Sequence, residues 1–491
     1  MTLVLSQFLM AWGGVLVGIV FGALPGMTAT MAIAIFLPIT YGYSLNIAIY
    51  LLLGLYVGGI SGGLIPAILI NIPGTPSSIC TTFDGYPMAQ RGEGERALRI
   101  GITASLVGGL ISFVCLWLFA PLLARVAINF GSVEKFLIIL FALTIIAALS
   151  KGSMLKGIFI GFFGVLVALI GQFADNNTMR MIPDIRYFKV NLRMGFQLLP
   201  VLIGLFAISQ ILQEAEKGMK NVTFDNDFKH ETKKFSIHDF KSQITNLIRS
   251  GIIGTFVGVL PGVGGSAASL LSYSQAKNFS KNPDKLGTGE PEGLIASESA
   301  NNGLTGGALI PLLSLGIPGD STTAVLIGAF MLQGMQVGPL FITNNPDIWH
   351  SILIALGISN ILMFITMFYP IKYIAQLIKL PKARIYPVII LMCVVGAYTT
   401  RNGNMFDVWT LFVFGLLGFL LNKFKFSIPP FFIGFILGDD LEKYFVDSIK
   451  GSGGSLSCFF NGPISWVLWG LIIVSIVYAV IDSKKTLVKG K

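Results

Sequence analysis

Charge is scarce in this sequence. Only 12% of its 491 residues are Asp, Glu, Lys or Arg, about half the share of an ordinary soluble domain. With 54% hydrophobic residues and a mean hydropathy of +0.77, a soluble fold would leave large apolar patches in water. Lipid is therefore the expected solvent, and at about 20 apolar residues per span there is room for roughly a dozen transmembrane elements. Cysteine and histidine are scarcer still. Cys80, Cys115, Cys393 and Cys458 lie far apart, and His230, His238 and His350 form no cluster, so neither a disulfide framework nor a metal site is expected. Because all three histidines sit in or beside polar loops, an intramembrane enzyme would lack its base. No G-x-x-x-x-G-K-[ST] string is present, so no ATP-cradling loop is expected. The N-terminus has no basic stretch before its first apolar run, which argues against a cleaved signal peptide.

What charge there is leans positive, +10 overall, but Lys and Arg are scattered between apolar runs and form no stripe. Nucleic-acid binding is excluded on that ground, and basic cytoplasmic loops account for the excess.

Apolar stretches predict helices at about 6–23, 45–60, 97–124, 134–149, 154–172 and 197–213, then at 244–260, 292–305, 347–371, 385–398, 405–423, 429–445 and 462–482. The longest hydrophilic stretch, 214–243, separates the two series as a linker. The series repeat each other. GIVFGALPGMTATMA (18–32) aligns with GTFVGVLPGVGGSAA (254–268), and SGGLIPAILINIPGTPSS (61–78) with GGALIPLLSLGIPGDSTT (306–323). A weaker match sets Pro200 and Gly204 against Pro430 and Gly434. The domain expectation is thus a first repeat over 1–213, a cytoplasmic linker over 214–243, a second repeat over 244–445, and an extra C-terminal helix with a basic tail over 446–491.

Matched loops carry opposite charge. Segment 84–99 holds Arg91, Arg96 and Arg99 while its counterpart 333–346 holds no Lys or Arg; 277–285 holds Lys277, Lys281 and Lys285 while 41–46 holds none. By the positive-inside rule the repeats are inverted, a common transporter plan, with the C-terminus cytoplasmic. One loop fits poorly: 173–196 should face outside yet contains Arg180, Arg186, Lys189 and Arg193. The expected fold is an all-α polytopic membrane protein of about 12 transmembrane elements in two inverted repeats.

Four Pro-Gly breaks interrupt apolar sequence, at Pro25-Gly26, Pro73-Gly74, Pro261-Gly262 and Pro318-Gly319. Each removes an amide donor and frees backbone polar groups at membrane depth, as broken or re-entrant helices do. Hydroxyl clusters follow: Thr28 and Thr30; Thr75, Ser77 and Ser78; Ser266 and Ser269, after Gly264 and Gly265; Ser321, Thr322 and Thr323. A helix restarting there offers free N–H groups, a positive dipole end and hydroxyl donors, a seat for a carboxylate. A single break of this kind reads first as a kink with a cap, but four in matched pairs read as a midplane binding site. Glycines at 14, 18 and 22, and at 254, 258 and 262, are spaced for close helix packing.

Asp320, directly after Pro318-Gly319, is expected to bind or help organise the coupling cation, with a cap for the restarting helix as the alternative. Glu298, Asn301 and Asn302 could donate oxygens to Na⁺ or join helices by hydrogen bonds. Asp84, Glu290 and Glu292 are expected to close turns at the membrane surface.

The strings GALPGMTATMAIAIFLPITYG, GLIPAILINIPGTPSSICTTFDGYPMAQRGEGERALRIG and GTGEPEGLIASESANNGLTGGALIPLLSLGIPGDSTTAVLIGAFMLQGMQVGPLF resemble the large membrane subunit of tripartite tricarboxylate transporters. That resemblance implies a multi-pass protein of the bacterial inner membrane, a cation-coupled, binding-protein-dependent secondary carrier for di- or tricarboxylates. It also implies a small membrane subunit and an extracytoplasmic solute-binding protein as partners, and no enzymatic activity. No cofactor is expected beyond Na⁺ or H⁺ as coupling ion. Energetics favour coupling, since importing a trivalent anion against 100 mV costs roughly 7 kcal/mol, three times the cost of one charge. A carboxylate channel, or an exporter without a binding protein, is the alternative.

Overall fold

The computed structural model describes residues 2–148, 154–173, 178–218, 232–401 and 403–489. It is helical almost throughout, its one described sheet being the antiparallel pair Gly171–Gln172 with Met179–Arg180. Among the described residues, seven helices are long and apolar enough to cross a membrane, and shorter apolar helices accompany them.

The chain forms two compact units, each assembled from separated segments. The first comprises 1–124 and 213–390, the second 125–212 and 391–491. Both sequence repeats therefore contribute to both units, and the 214–243 linker lies within the first. Of that linker, 219–231 lies outside the described residues.

The first unit opens with α1 (Thr2–Ala23), α2 (Ala29–Thr40), α3 (Leu45–Gly62), α4 (Leu64–Ile70), α5 (Thr81–Gln90) and most of α6 (Gly94–Ala127). The second unit takes over with α7 (Ser132–Ala148), α8 (Met154–Ala168), α9 (Arg186–Asn191), α10 (Leu198–Ile203) and the start of α11 (Ser209–Glu216). Back in the first unit lie α12 (His238–Lys241), α13 (Ile244–Val259), α14 (Gly264–Phe279), α15 (Pro291–Leu315) and α16 (Ser321–Leu332). They are followed by α17 (Phe341–Asn344), α18 (Pro346–Phe368), α19 (Ile371–Ile374) and the first half of α20 (Lys382–Thr399). The second unit ends with α21 (Met405–Lys423), α22 (Ile428–Gly451) and α23 (Pro463–Lys489).

Two helix pairs organise the first unit, α1 against α3 and α13 against α15. Small residues make both crossings possible, because without a Cβ the backbones can touch. A methyl group at Gly18 would lie 2.6 Å from the Leu55 carbonyl oxygen, and one at Gly258 would lie 2.8 Å from the Leu304 oxygen. Gly14, Gly22 and Gly254 are held against backbone in the same way. Gly262 departs from the packing role expected for it. It lies beyond the end of α13 with φ of 79°, and its N–H donates to the Gly319 carbonyl at 2.8 Å; the helix it would have packed has already ended at Pro261.

All four Pro-Gly pairs fall where helices stop. Pro25-Gly26 separates α1 from α2, Pro73-Gly74 follows α4, Pro261-Gly262 separates α13 from α14, and Pro318-Gly319 separates α15 from α16. Matched positions terminate alike. Asn71 and Gly316 cap α4 and α15 in the left-handed conformation, at φ of 57° and 74°. The next residues, Ile72 and Ile317, donate to the carbonyls of Pro66 and Pro311, each at 3.3 Å. These are carbonyls that a helix end otherwise leaves unpaired.

In the second unit α22 packs on α7 and α8, α21 packs on a π turn at Gly204–Ile208, and α23 packs on α7. Two of the four basic residues in the loop that fitted poorly are ion-paired, Arg180 with Glu442 and Lys189 with Asp184. Lysine's ammonium there holds the Asp184 carboxyl below the usual carboxylate range.

Candidate functional site

The hydroxyl clusters belong to the first unit, and they meet across the sequence repeats. On one side Thr30, in the first turn of α2, shares a 2.9 Å hydroxyl contact with Thr322, in the first turn of α16. Thr28 caps α2 by accepting from the Met31 N–H at 3.2 Å. On the other side Ser266 and Ser269 of α14 donate to the carbonyls of Pro76 and Ser77, at 2.8 and 2.9 Å. Thr75 there touches the hydroxyls of Ser77 and Ser78 at 3.0 and 2.9 Å. The first break thus meets the fourth, and the second meets the third.

Glycine is required where these segments close on one another. A Cβ at Gly265 would sit 2.5 Å from that of Ser77, and one at Gly63 would sit 2.6 Å from the hydroxyls of both Thr75 and Ser78. Gly264, at φ of 73°, has open space where its side chain would be. Gly74 and Gly319 are buried against Gly63 and Ala308, positions equivalent in the sequence match.

Asp320 is the N-cap of α16. Its Oδ1 accepts from the Thr323 N–H and hydroxyl, each at 2.7 Å, and Thr323 returns a contact to the Asp320 N–H, completing a capping box. Its other carboxylate oxygen faces the Tyr56 hydroxyl at 3.5 Å. Ser321 opens the helix and is half-buried. Asn302 joins helices, accepting from Ser61 of α3 at 2.6 Å. Glu298 and Asn301 are fully buried. The Glu298 carboxylate accepts from Thr81 and, at 3.1 Å, from Ser105. Neither amide atom of Asn301 has a hydrogen-bond partner among the described residues.

Asp84 is buried. Its Oδ1 accepts from the N–H groups of Gly287, Gly289 and Glu290, each at 2.8 Å, and its Oδ2 accepts from Tyr273 at 2.8 Å. It does close a turn, from inside, because the loop between α14 and α15 wraps its N–H groups around the carboxylate. Glu292 accepts from Ser280 at 2.6 Å.

Sequence reasoning missed Tyr56, Thr81, Ser105, Glu214 and Lys382. Glu214 forms a nearly buried ion pair with Lys382, 2.6 Å long, and its carboxyl occupies the place a side chain at Gly26 would take. An acidic group thus already lies against the first break, with its charge answered by Lys382. The only sequence signal for it is position, immediately after an apolar run, and nothing local distinguishes that from the start of a linker.

The sequence profile described as "Tripartite tricarboxylate transporter TctA family" matches residues 8–433. An uncharacterized 52.8 kDa protein in the TAR-I ttuC' 3' region of Agrobacterium vitis is 34% identical over 476 residues, 96% of this chain and 92% of the relative. An uncharacterized protein in the TAR-II ttuC' 3' region of the same organism is 37% identical over 230 residues, 47% of this chain and 95% of the relative. No solved structure matches.

Proposed function

Because the chain belongs to the tripartite tricarboxylate transporter TctA family, we propose that it is a cation-coupled carrier that takes up a di- or tricarboxylate at its paired Pro-Gly breaks. It is a multi-pass membrane component of a transporter and not an enzyme. The proposed partners are a small membrane subunit and an extracytoplasmic solute-binding protein, in a bacterial inner membrane with the C-terminus cytoplasmic.

The observation that carries the proposal is the crossed pairing of the four breaks. Thr30 with Thr322, and Pro76 and Ser77 with Ser266 and Ser269, bring restarting helices from both repeats together. Hydroxyls that bond one another can exchange those bonds for a carboxylate without leaving a buried donor unpaired. The pairing also supports a two-fold relation between the repeats, since exchanging one repeat for the other exchanges the two contacts. Proposed substrate contacts are the hydroxyls of Thr28, Thr30, Thr75, Ser77, Ser78, Ser266, Ser321, Thr322 and Thr323 with the adjoining backbone of the breaks. Glu298 and Asn301 are proposed for the cation, with Asn302 and Asp320 holding the surrounding helices. Those two are already committed to Ser61 and to the α16 cap.

Uptake of radiolabelled citrate, succinate and malate by the complete three-part system tests this. A hydrogen bond to a charged group contributes about 1.5–3 kcal/mol, so Ser77→Ala and Thr322→Ala should each raise the apparent KM about tenfold or more with folded protein retained. Wild-type KM in both variants would refute the site. Flux that needs neither binding protein nor cation gradient would make the chain a channel.

A further inference from the structure

Glu298 is a carboxylate with no counter-charge among the described residues. It lies in the third turn of α15, fully buried, and its oxygens accept from the hydroxyls of Thr81 on α5 and Ser105 on α6, with Asn301 also within reach. The charged and titratable groups on the neighbouring elements are engaged elsewhere or neutral. Asp84 and Tyr273 bond each other, Arg96 pairs with Glu93 and Asp239, and Arg99 pairs with Glu95. Arg249 on α13 bonds Asn246, and Tyr56 on α3 faces Asp320. The buried Cys80 thiol lies within electrostatic reach of it. An uncompensated charge at such a place is expensive and by default functional.

Something positive must therefore visit Glu298, and the local chemistry distinguishes what. A metal cation needs a shell of oxygens with free lone pairs. Here α15 is continuous from Pro291 to Leu315, so its mid-helix carbonyls already accept one bond within the helix, and those of Ala296, Ser297, Asn302 and Gly303 accept a second from Ser272, Ser269, Ser112 and Thr255. Both carboxylate oxygens hold hydroxyl donors. A proton needs one oxygen only. Asn301, one turn along the same helix, lies within reach of the Glu298 carboxyl, and no other group among the described residues bonds either of its amide atoms. A Cβ at Gly265 would stand 3.5 Å from its Oδ1 and 2.5 Å from Ser77. Asn301 thus spans the space between the carboxyl and the hydroxyl cluster of the second and third breaks.

We propose that Glu298 carries the coupling proton, and that Asn301 is the positioning residue through which its protonation reaches the hydroxyl cluster. This rests on the carrier function proposed above. Glu298 binds a proton when the site opens outward, moves as a neutral acid with the bound carboxylate, and releases the proton inside.

Two measurements test it. Infrared difference spectra of the purified chain between low and high pH should show the C=O band of a buried protonated carboxyl group. That band should be lost in Glu298→Gln and retained in Glu292→Gln. Its absence from wild type, or its survival in Glu298→Gln, overturns the proposal whatever the chain transports. In vesicles bearing the complete system, Glu298→Gln should retain exchange of labelled for unlabelled citrate, succinate or malate above that of vesicles lacking the chain. It should fail to accumulate them under an inward proton gradient. Wild-type accumulation by Glu298→Gln overturns the proposal, as does loss of exchange, which would make Glu298 a strut. If wild type moves none of the three anions, the carrier reading fails, and the infrared result still decides Glu298.

Discussion

Single residues in this protein are constrained by the bonds they already make. Asp320 satisfies two orphan donors at the start of α16, and Asn preserves a capping oxygen. Asp320→Asn should therefore leave thermal stability within about 1 kcal/mol of wild type, while Asp320→Ala should lower it measurably in a detergent melting series. If Asp320 also ligates the coupling ion, the Asn variant will lose cation dependence of uptake at unchanged stability. Unchanged Na⁺ and pH dependence assigns it to the cap alone. Asp84 should tolerate far less. Removing its carboxylate leaves three backbone N–H groups and a tyrosine hydroxyl unpaired, so Asp84→Ala should cost about 3 kcal/mol or more, visible as loss of folded protein by size-exclusion chromatography. The hydroxyl clusters and the acidic residues beside them were legible because Pro-Gly pairs and small polar residues stand out against apolar sequence. Their partners were not. Thr81 and Ser105 reach Glu298 across 217 and 193 positions, and Glu214 reaches Lys382 across 168, separations that only packing decides.

At the scale of helices, the crossings impose sharper limits than composition does. Gly13 and Gly18 lie on the same helix, yet a methyl at Gly13 meets nothing within 4 Å while one at Gly18 meets the backbone of α3. Gly18→Ala should destabilise by about 1–3 kcal/mol through overpacking, whereas Gly13→Ala should be neutral or slightly stabilising through helix propensity. Equal melting temperatures for the two would contradict the crossing. Long helices were legible from apolar runs, and most of their ends fall within a few residues of those read from sequence. The short helices α2, α4, α5, α14 and α16 were not separately read. Some sit inside segments too brief to register, and α14 is rich in Gly and Ser, which hide an apolar face. Asp84's cradle was likewise invisible, because it depends on a loop 203–206 residues away.

For the molecule as a whole, inverted repeats make a claim about sidedness that chemical labelling can check. In a background without the four native cysteines, Gln90→Cys and Gln336→Cys place thiols at exposed positions of matched loops. Impermeant maleimide should reach them from opposite faces of the membrane, and labelling from one face would establish parallel repeats. A different consequence follows from the way each compact unit draws on two distant stretches of chain. The first is complete only when residue 390 has been made, and the second only at the C-terminus. During synthesis residues 125–212 enter the bilayer some two hundred positions ahead of the segment that completes their unit. Newly made chain therefore waits in lipid with packing faces unmatched until residues 391–491 have been added.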